Sequence, residues 1–293
     1  MSLIATLIAR QGHLPPSRVT MAARVVKARA EEWLAQETAC DLPLPDGADA
    51  RETEIELRRL LASDPVDIVV QKGANRRKRL LIADMDSTMI GQECIDELAD
   101  AIGIKPEVAA ITARAMNGEI AFEPALRERV RLLKGLPVPT IDKVIRERIT
   151  LAPGGRELVA TMKANGARTA LVSGGFTAFT TRIAAMLGFD ENSANRLLEE
   201  DGHLTGMVAE PILGRQAKAD ALTSITARLG LSRADAIAVG DGANDLDMIR
   251  MAGSGVALHA KPMVAAEAPM RIDHGDLTAL LYIQGYRQSE FAS

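Results

Sequence analysis

With 293 residues, 47% of them hydrophobic, the chain is long enough for about two domains and a substantial buried core. Its 35 basic and 39 acidic residues leave a net charge of -4, and aromatics make up 3%, which excludes a global bias toward nucleic acid or anionic membranes and a base-stacking platform. Cys40 and Cys94 stand apart, and His13, His203, His259 and His274 show no ligand spacing with them, so neither zinc nor disulfide logic applies. Met1 to Arg10 has a brief apolar stretch without a charged leader or cleavage pattern, and no run approaches about 18 apolar residues, so a soluble cytoplasmic protein is expected. Leu3 to Ile8 reads as a strand, Arg18 to Gln36 as a helix with Ala22, Val26, Ala30, Trp33 and Leu34 near one face, and Arg51 to Ala62 as a second helix. Pro43, Pro45, Asp46 and Gly47 mark the loop between these helices, and Val66 to Val70 reads as a strand. Residues 1–75 thus form a small α/β domain without a ligand motif, and Arg76-Arg77-Lys78-Arg79 reads as a solvated linker after it.

Leu80-Leu81-Ile82-Ala83 is a strand covered on both faces, and it delivers Asp84-Met85-Asp86-Ser87-Thr88 at its end. In open parallel sheets ligands sit beyond such strand ends, although Asp and Ser would also serve as helix caps. From Gln92 to about Thr150 the patterns are helical, at Ala109 to Met116, Pro124 to Leu133 and Thr140 to Arg148, which suggests a small helical insertion. Cys94 has no basic neighbour in sequence to lower its pKa and reads as a packed small residue.

Thr169 to Val172 is a second strand, ending in Ser173-Gly174-Gly175 before a helix over Thr177 to Leu187; the hydroxyl and glycine amides suit an anion, or an ordinary turn. Asp201-Gly202 predicts a hairpin whose second arm is His203 to Val208. Lys218 lies near the start of a helix running to about Leu229, where a lone lysine is ordinarily solvated. Ala236 to Val239 is a third strand, leading into Gly240-Asp241-Gly242-Ala243-Asn244-Asp245, a loop whose carboxylates suit a hard divalent cation or a plain turn.

Asp84-Met85-Asp86-Ser87-Thr88, Ser173, Lys218 and the Gly240 to Asp245 loop, in this order, resemble the four motifs of the haloacid dehalogenase-like phosphatases. Glu93, Met116-Asn117-Gly118-Glu119-Ile120-Ala121-Phe122, Leu126 to Val130 and the Asp201 to Gly206 turn are similar to the members of that family acting on phosphoserine. The resemblance spans roughly Leu80 to Leu281 without departure at the motif positions. It implies an α/β fold with a doubly wound parallel sheet of Rossmann type in residues 76–91 and 151–293, and a helical cap in residues 92–150. The first 75 residues loosely resemble a degenerate regulatory-type domain, and dimerisation, stabilisation and amino-acid sensing stay open for it.

The chemistry implied is Mg2+-dependent hydrolysis of O-phospho-L-serine through an aspartyl phosphate, the last step of serine biosynthesis. The resemblance makes Asp84 the nucleophile and Asp86 the general acid and base, with Mg2+ on Asp84, Asp241 and the backbone carbonyl of Asp86. It assigns the phosphate to Ser173, the Gly174 amide and Lys218, the substrate side of the metal loop to Asn244, the ammonium to Glu93 and the carboxylate to Arg129. Met116 and Phe122 would close the apolar side. Two alternatives are a phosphotransferase to a hydroxyl such as that of homoserine, and a non-catalytic amino-acid-binding regulator, which would not need the intact nucleophile, lysine and metal loop. The partner expected is a small-molecule substrate, with no nucleic acid or membrane, and a homodimer is left open.

Overall fold

The computed structural model describes residues 2–116 and 119–292; Asn117, Gly118 and the Met116 side chain lie outside the described residues. The first elements are β1 (Leu3–Ile8), α1 (Pro16–Val25), β2 (Glu32–Ala35), β3 (Ala39–Pro43), α2 (Ala50–Leu60) and β4 (Asp67–Lys72). They make a four-stranded sheet of order β2-β3-β1-β4 with antiparallel pairings. Along β1 the side chains alternate between two cores: Ala5 and Leu7 pack with residues of α1 and α2, while Ile8 joins the core of the following unit.

The helix expected over Arg18 to Gln36 stops at Val25. Lys27 takes a left-handed φ of 53°, turning the chain, and residues 32–35 then pair with β3 through a tight turn in which Glu37 has φ 51°. The apolar positions read as a helical stripe therefore divide between a helix face at Ala22 and a strand at Trp33 and Leu34. Tertiary pairing overrode a weak helical pattern here.

The second unit opens with β5 (Leu80–Ala83), then places four helices before the next strand: α3 (Cys94–Ala101), α4 (Lys105–Met116), α5 (Phe122–Leu132) and α6 (Pro139–Arg148). The first of these was not anticipated. α7 (Gly155–Ala164), β6 (Arg168–Phe176), α8 (Thr177–Leu187) and β7 (Glu191–Asn195) follow, then a hairpin of β8 (Leu197–Glu200) and β9 (His203–Val208). The chain continues through α9 (Arg215–Arg228), β10 (Ala236–Gly240), α10 (Leu246–Met251), β11 (Ser254–Leu258), α11 (Pro262–Glu267), β12 (Met270–Ile272) and α12 (Ala279–Ile283).

Six strands form a parallel sheet of order β12-β11-β10-β5-β6-β7. Leu81 and Ala83 of β5 face one core with α7 and α8, and Leu80 and Ile82 face the other with α9 and α10, so the sheet is doubly wound as expected. The chain leaves β5 toward β6 and later returns to β10 on the other side of β5, which makes the gap between β5 and β10 the topological switch point. No described helix is long and apolar enough to cross a membrane.

The basic cluster is solvated only at Arg77 and Arg79, which are exposed; Arg76 and Lys78 are not. Arg76 is 9% exposed and donates to Asp41 Oδ2 at 2.6 Å, to Asp41 Oδ1 and Thr6 Oγ1 at 3.1 Å, and to the Ile283 and Tyr282 carbonyls at 3.0 and 3.1 Å. Lys78 is also buried, its ammonium donating to the Asn75 and Ala234 carbonyls. A guanidinium offers five donors in a fixed fork, so it joins strand side chains of the first unit to a helix end of the second.

Candidate active site

β10 pairs in parallel with β5, bringing Val239 opposite Ala83, and the Asp84 backbone N–H donates to the Val239 carbonyl at 3.0 Å. The residues just past both strands, Asp84 and Asp241, are thereby delivered to the same edge of the sheet. Asp84 is 5% exposed, and its Oδ1 lies 2.6 Å from Lys218 Nζ. Lys218, itself buried, also bonds Asp245 Oδ1 at 2.6 Å, while Asp245 Oδ2 accepts from the Gly242 backbone N–H at 3.0 Å.

The solvated lysine reading thus gives way to a buried cation between two buried carboxylates. Burial works against the Lys218 charge, yet Asp245 and Asp84 raise its pKa above the ordinary value. Burial, reinforced by the Asp245 charge, pushes Asp84 well above the usual carboxylate range despite the counter-pull of Lys218. Asp241 is pushed up to about 6, by burial first and Asp245 second.

Asp86 is held differently. Its Oδ1 accepts from the Cys94 backbone N–H at 2.9 Å and its Oδ2 from the Ser173 hydroxyl at 3.2 Å, while the Gly175 N–H donates to Ser173 Oγ at 2.8 Å. Burial raises the Asp86 pKa against these hydrogen bonds. Gly175 is glycine for a steric reason: a Cβ there would stand 2.7 Å from Asp86 Oδ2 and 3.0 Å from Ser173 Oγ. β6 runs on to Phe176 with a shifted register past Val172, so Ser173, Gly174 and Gly175 form the irregular end of a strand instead of the turn expected before α8. Cys94 is buried and its thiol pKa is raised by burial and by Asp86, which agrees with a packed, unreactive residue.

Asp84, Asp86, Glu93, Arg129, Gly174, Asp241 and Asn244 all line one cavity of about 540 Å³ between the sheet edge and the inserted helices. Ser173 and Lys218 stand behind this wall, bonded to Asp86 and Asp84 respectively. Glu93 precedes α3, accepts from the Ser87 hydroxyl at 2.7 Å, and has its pKa pushed up to about 7, by burial first and the Asp86 charge second. Arg129 on α5 donates to the Ala125 carbonyl and the Thr112 hydroxyl, and among the described residues no carboxylate forms an ion pair with it. Phe122 joins the lining at the apolar side.

Asp84, Asp241 and Asp245 each bring one oxygen within 4.8 Å of the others, a donor set that could hold a metal ion. All-carboxylate donors suit a hard divalent cation. Both Asp245 oxygens are engaged, by Lys218 and Gly242, and the Asp86 carboxylate by Cys94 and Ser173, so Asp84 and Asp241 have the freer oxygens. The sequence placed Asp245 among the loop carboxylates suited to a cation without pairing it to Lys218, and assigned Ser87 no role of its own. The four-residue step from Asp241 to Asp245 was the available signal for the first, and the second had none.

The haloacid dehalogenase-like hydrolase family model matches residues 81–250. A phosphoserine phosphatase of Archaeoglobus fulgidus is 43% identical over 251 residues, covering 85% of this chain and 72% of that protein. Among solved structures, a haloacid dehalogenase family hydrolase from Salmonella enterica serovar Typhi superposes with a TM-score of 0.87 at 31% identity, over 96% of this chain and 98% of that one. A probable phosphoserine phosphatase from Vibrio cholerae gives 0.81 at 32% identity, over 99% and 88%. On the sheet order, the residues at its switch point and these likenesses together, the chain belongs to the haloacid dehalogenase-like hydrolase family.

Proposed function

We propose that this enzyme hydrolyses O-phospho-L-serine to serine and phosphate, with Asp84 as the phosphoryl acceptor and Mg2+ as its metal, completing the synthesis of serine. The observation that carries this reading is the pairing, in one cavity, of strand-end carboxylates with Glu93 and Arg129 from the inserted helices. An acid and a guanidinium match the ammonium and carboxylate of an amino acid, and the strand-end set matches its phosphate ester. The names of the relatives support the same substrate.

In this mechanism an Asp84 oxygen attacks phosphorus in line while the P–O bond to the serine oxygen breaks. Asp86 holds a proton for that leaving oxygen, which its raised pKa favours, and then takes one from the water that cleaves the aspartyl phosphate. Ser173 and Cys94 fix the Asp86 carboxylate in place for both transfers. The Gly174 amide and Asn244 line the cavity and meet the phosphate and the substrate side of the metal loop, while Lys218 and Ser173, bonded behind the wall to Asp84 and Asp86, reach the phosphate oxygens by exchanging those bonds for bonds to them. Asp84, Asp241 and the Asp86 carbonyl would hold Mg2+, which supplies positive charge to offset the repulsion between a carboxylate nucleophile and an anionic ester.

A substrate lacking the amine or the carboxylate leaves Glu93 or Arg129 dehydrated and unpaired, at a cost on the order of 3 kcal/mol, or about two decades in rate. Phosphate release from a panel of esters, with and without Mg2+ and beside Asp84→Asn, tests the proposal. Phosphoserine should exceed phosphoethanolamine and glycerol phosphate about 100-fold, and equal rates would remove the roles of Glu93 and Arg129. Phosphohomoserine formed when homoserine is added would show transfer in place of hydrolysis.

A further inference from the structure

Ser87 is one of the few non-glycine residues with a left-handed backbone, at φ 54°. Glycine adopts that conformation without strain, and a serine there carries a cost of about 1 kcal/mol. Its side chain has a definite use. The Ser87 hydroxyl donates to Glu93 Oε1 at 2.7 Å, and among the described residues it is the one hydrogen-bond donor to that carboxylate. Glu93 stands at the N-cap of α3 but its side chain makes no capping bond, so the carboxylate is held toward Ser87 and not by the helix. The Asp86, Asp241 and Asp96 carboxylates repel it, and the Arg129 guanidinium attracts it without a hydrogen bond.

The turn carrying this contact is fastened at its base. The Ser87 N–H donates to the Gln92 carbonyl at 3.2 Å, closing residues 87–92 into a loop. The Gln92 amide exchanges two bonds of 2.9 Å with Thr150, through its hydroxyl and its N–H, and the Gly91 N–H donates to the Thr150 carbonyl at 3.0 Å. Thr150 lies where the chain returns from the inserted helices, so the loop is clamped to both crossings between the helices and the sheet.

We infer that Ser87 is a specificity-positioning residue, holding Glu93 in the orientation that receives the ammonium of the substrate. The inference rests on the proposed role of Glu93 and deepens it. Ser87 touches no reacting atom; it acts through Glu93, so its loss weakens recognition of an amine and leaves recognition of a phosphate ester as such.

The test uses the full chain and two substrates, phosphoserine and the otherwise identical ester without the amine, 3-phosphooxypropanoate. Ser87→Gly keeps the left-handed turn while deleting the hydroxyl. It should lower kcat/KM for phosphoserine about tenfold, chiefly through KM, with the amine-free ester changed less than about twofold. Glu93→Gln should show the same substrate pattern with a larger loss, and the double variant should be no worse than Glu93→Gln alone. Parental KM for phosphoserine in Ser87→Gly, or equal losses on both esters, would overturn the inference while leaving Glu93 its role. If Glu93→Gln keeps parental discrimination between the two esters, the reading of Glu93 fails and the inference falls with it.

Discussion

Lys218 is the residue on which the site's charge balance turns, because it separates two buried carboxylates that would otherwise repel each other. Replacing it with methionine should cost about 3–5 kcal/mol in urea unfolding, as expected when one member of a buried ion group is removed. Adding Asp245→Asn should return part of that stability without restoring turnover, because the orienting partner of Asp84 is still missing; full recovery of activity would show that Lys218 acts only in folding. Glu93 gives a pH signature. Its carboxylate must be ionised to pair with an ammonium, and its pKa stands at about 7 through burial, Asp86, Asp241 and Asp96 against the Ser87 hydroxyl. Kcat/KM for phosphoserine, taken relative to the amine-free ester whose phosphate titrates alike, should therefore rise as pH rises through about 7 and flatten above it. That limb should vanish in Glu93→Gln. The sequence made Asp84 and Asp86 visible because they follow an apolar run, whereas the partnership of Lys218 with Asp245 depends on α9 packing beside the β10 loop and leaves no local pattern. Glu93 and Arg129 were legible through a family likeness, not through spacing.

Strand ends and close glycines set the precision of the site. A Cβ at residue 175 would meet the ends of the Asp86 and Ser173 side chains too closely and the Met85 methyl at an ordinary 3.5 Å, so Gly175→Ala displaces the carboxylate without disturbing backbone. Kcat should fall about 100-fold, the order expected for misplacing a catalytic group by an ångström, while the thermal midpoint changes little. A drop in stability with unchanged kcat would place the constraint in packing instead. Elements with a strong period were legible from residues alone: β1, β5, β10 and the hairpin over Asp201-Gly202 stand where apolar runs and turn residues put them. The stretch from Arg18 to Gln36 was not, since alanines and valines satisfy a helical stripe and the reversal rests on Lys27 and Glu37 adopting left-handed φ, which neither side chain announces.

At the scale of the whole molecule, the first unit is bound to the second by buried polar contacts. Besides Arg76, the Asp67 carboxylate of β4 accepts the backbone N–H groups of Asp273, His274 and Gly275 at 2.7–3.2 Å. Arg76→Met strands Asp41 in the interior and should destabilise the full chain by about 3–5 kcal/mol, with calorimetry showing the first unit melting ahead of the second. A single transition at the parental midpoint would mean that the contact adds nothing. A run of four basic residues reads as solvated unless the fold supplies acceptors, and the acceptors here come from Thr6, Asp41 and residues 282–283, far away in sequence. The proposed function turns on one chemical event, the temporary residence of a phosphoryl group on Asp84. Rapid acid quench of the enzyme turning over labelled phosphoserine, followed by peptide mapping, tests this most directly. Label on the peptide containing Asp84, absent from Asp84→Asn together with a loss of turnover of about 1,000-fold or more, is the predicted result. Turnover of Asp84→Asn at the parental rate would contradict it.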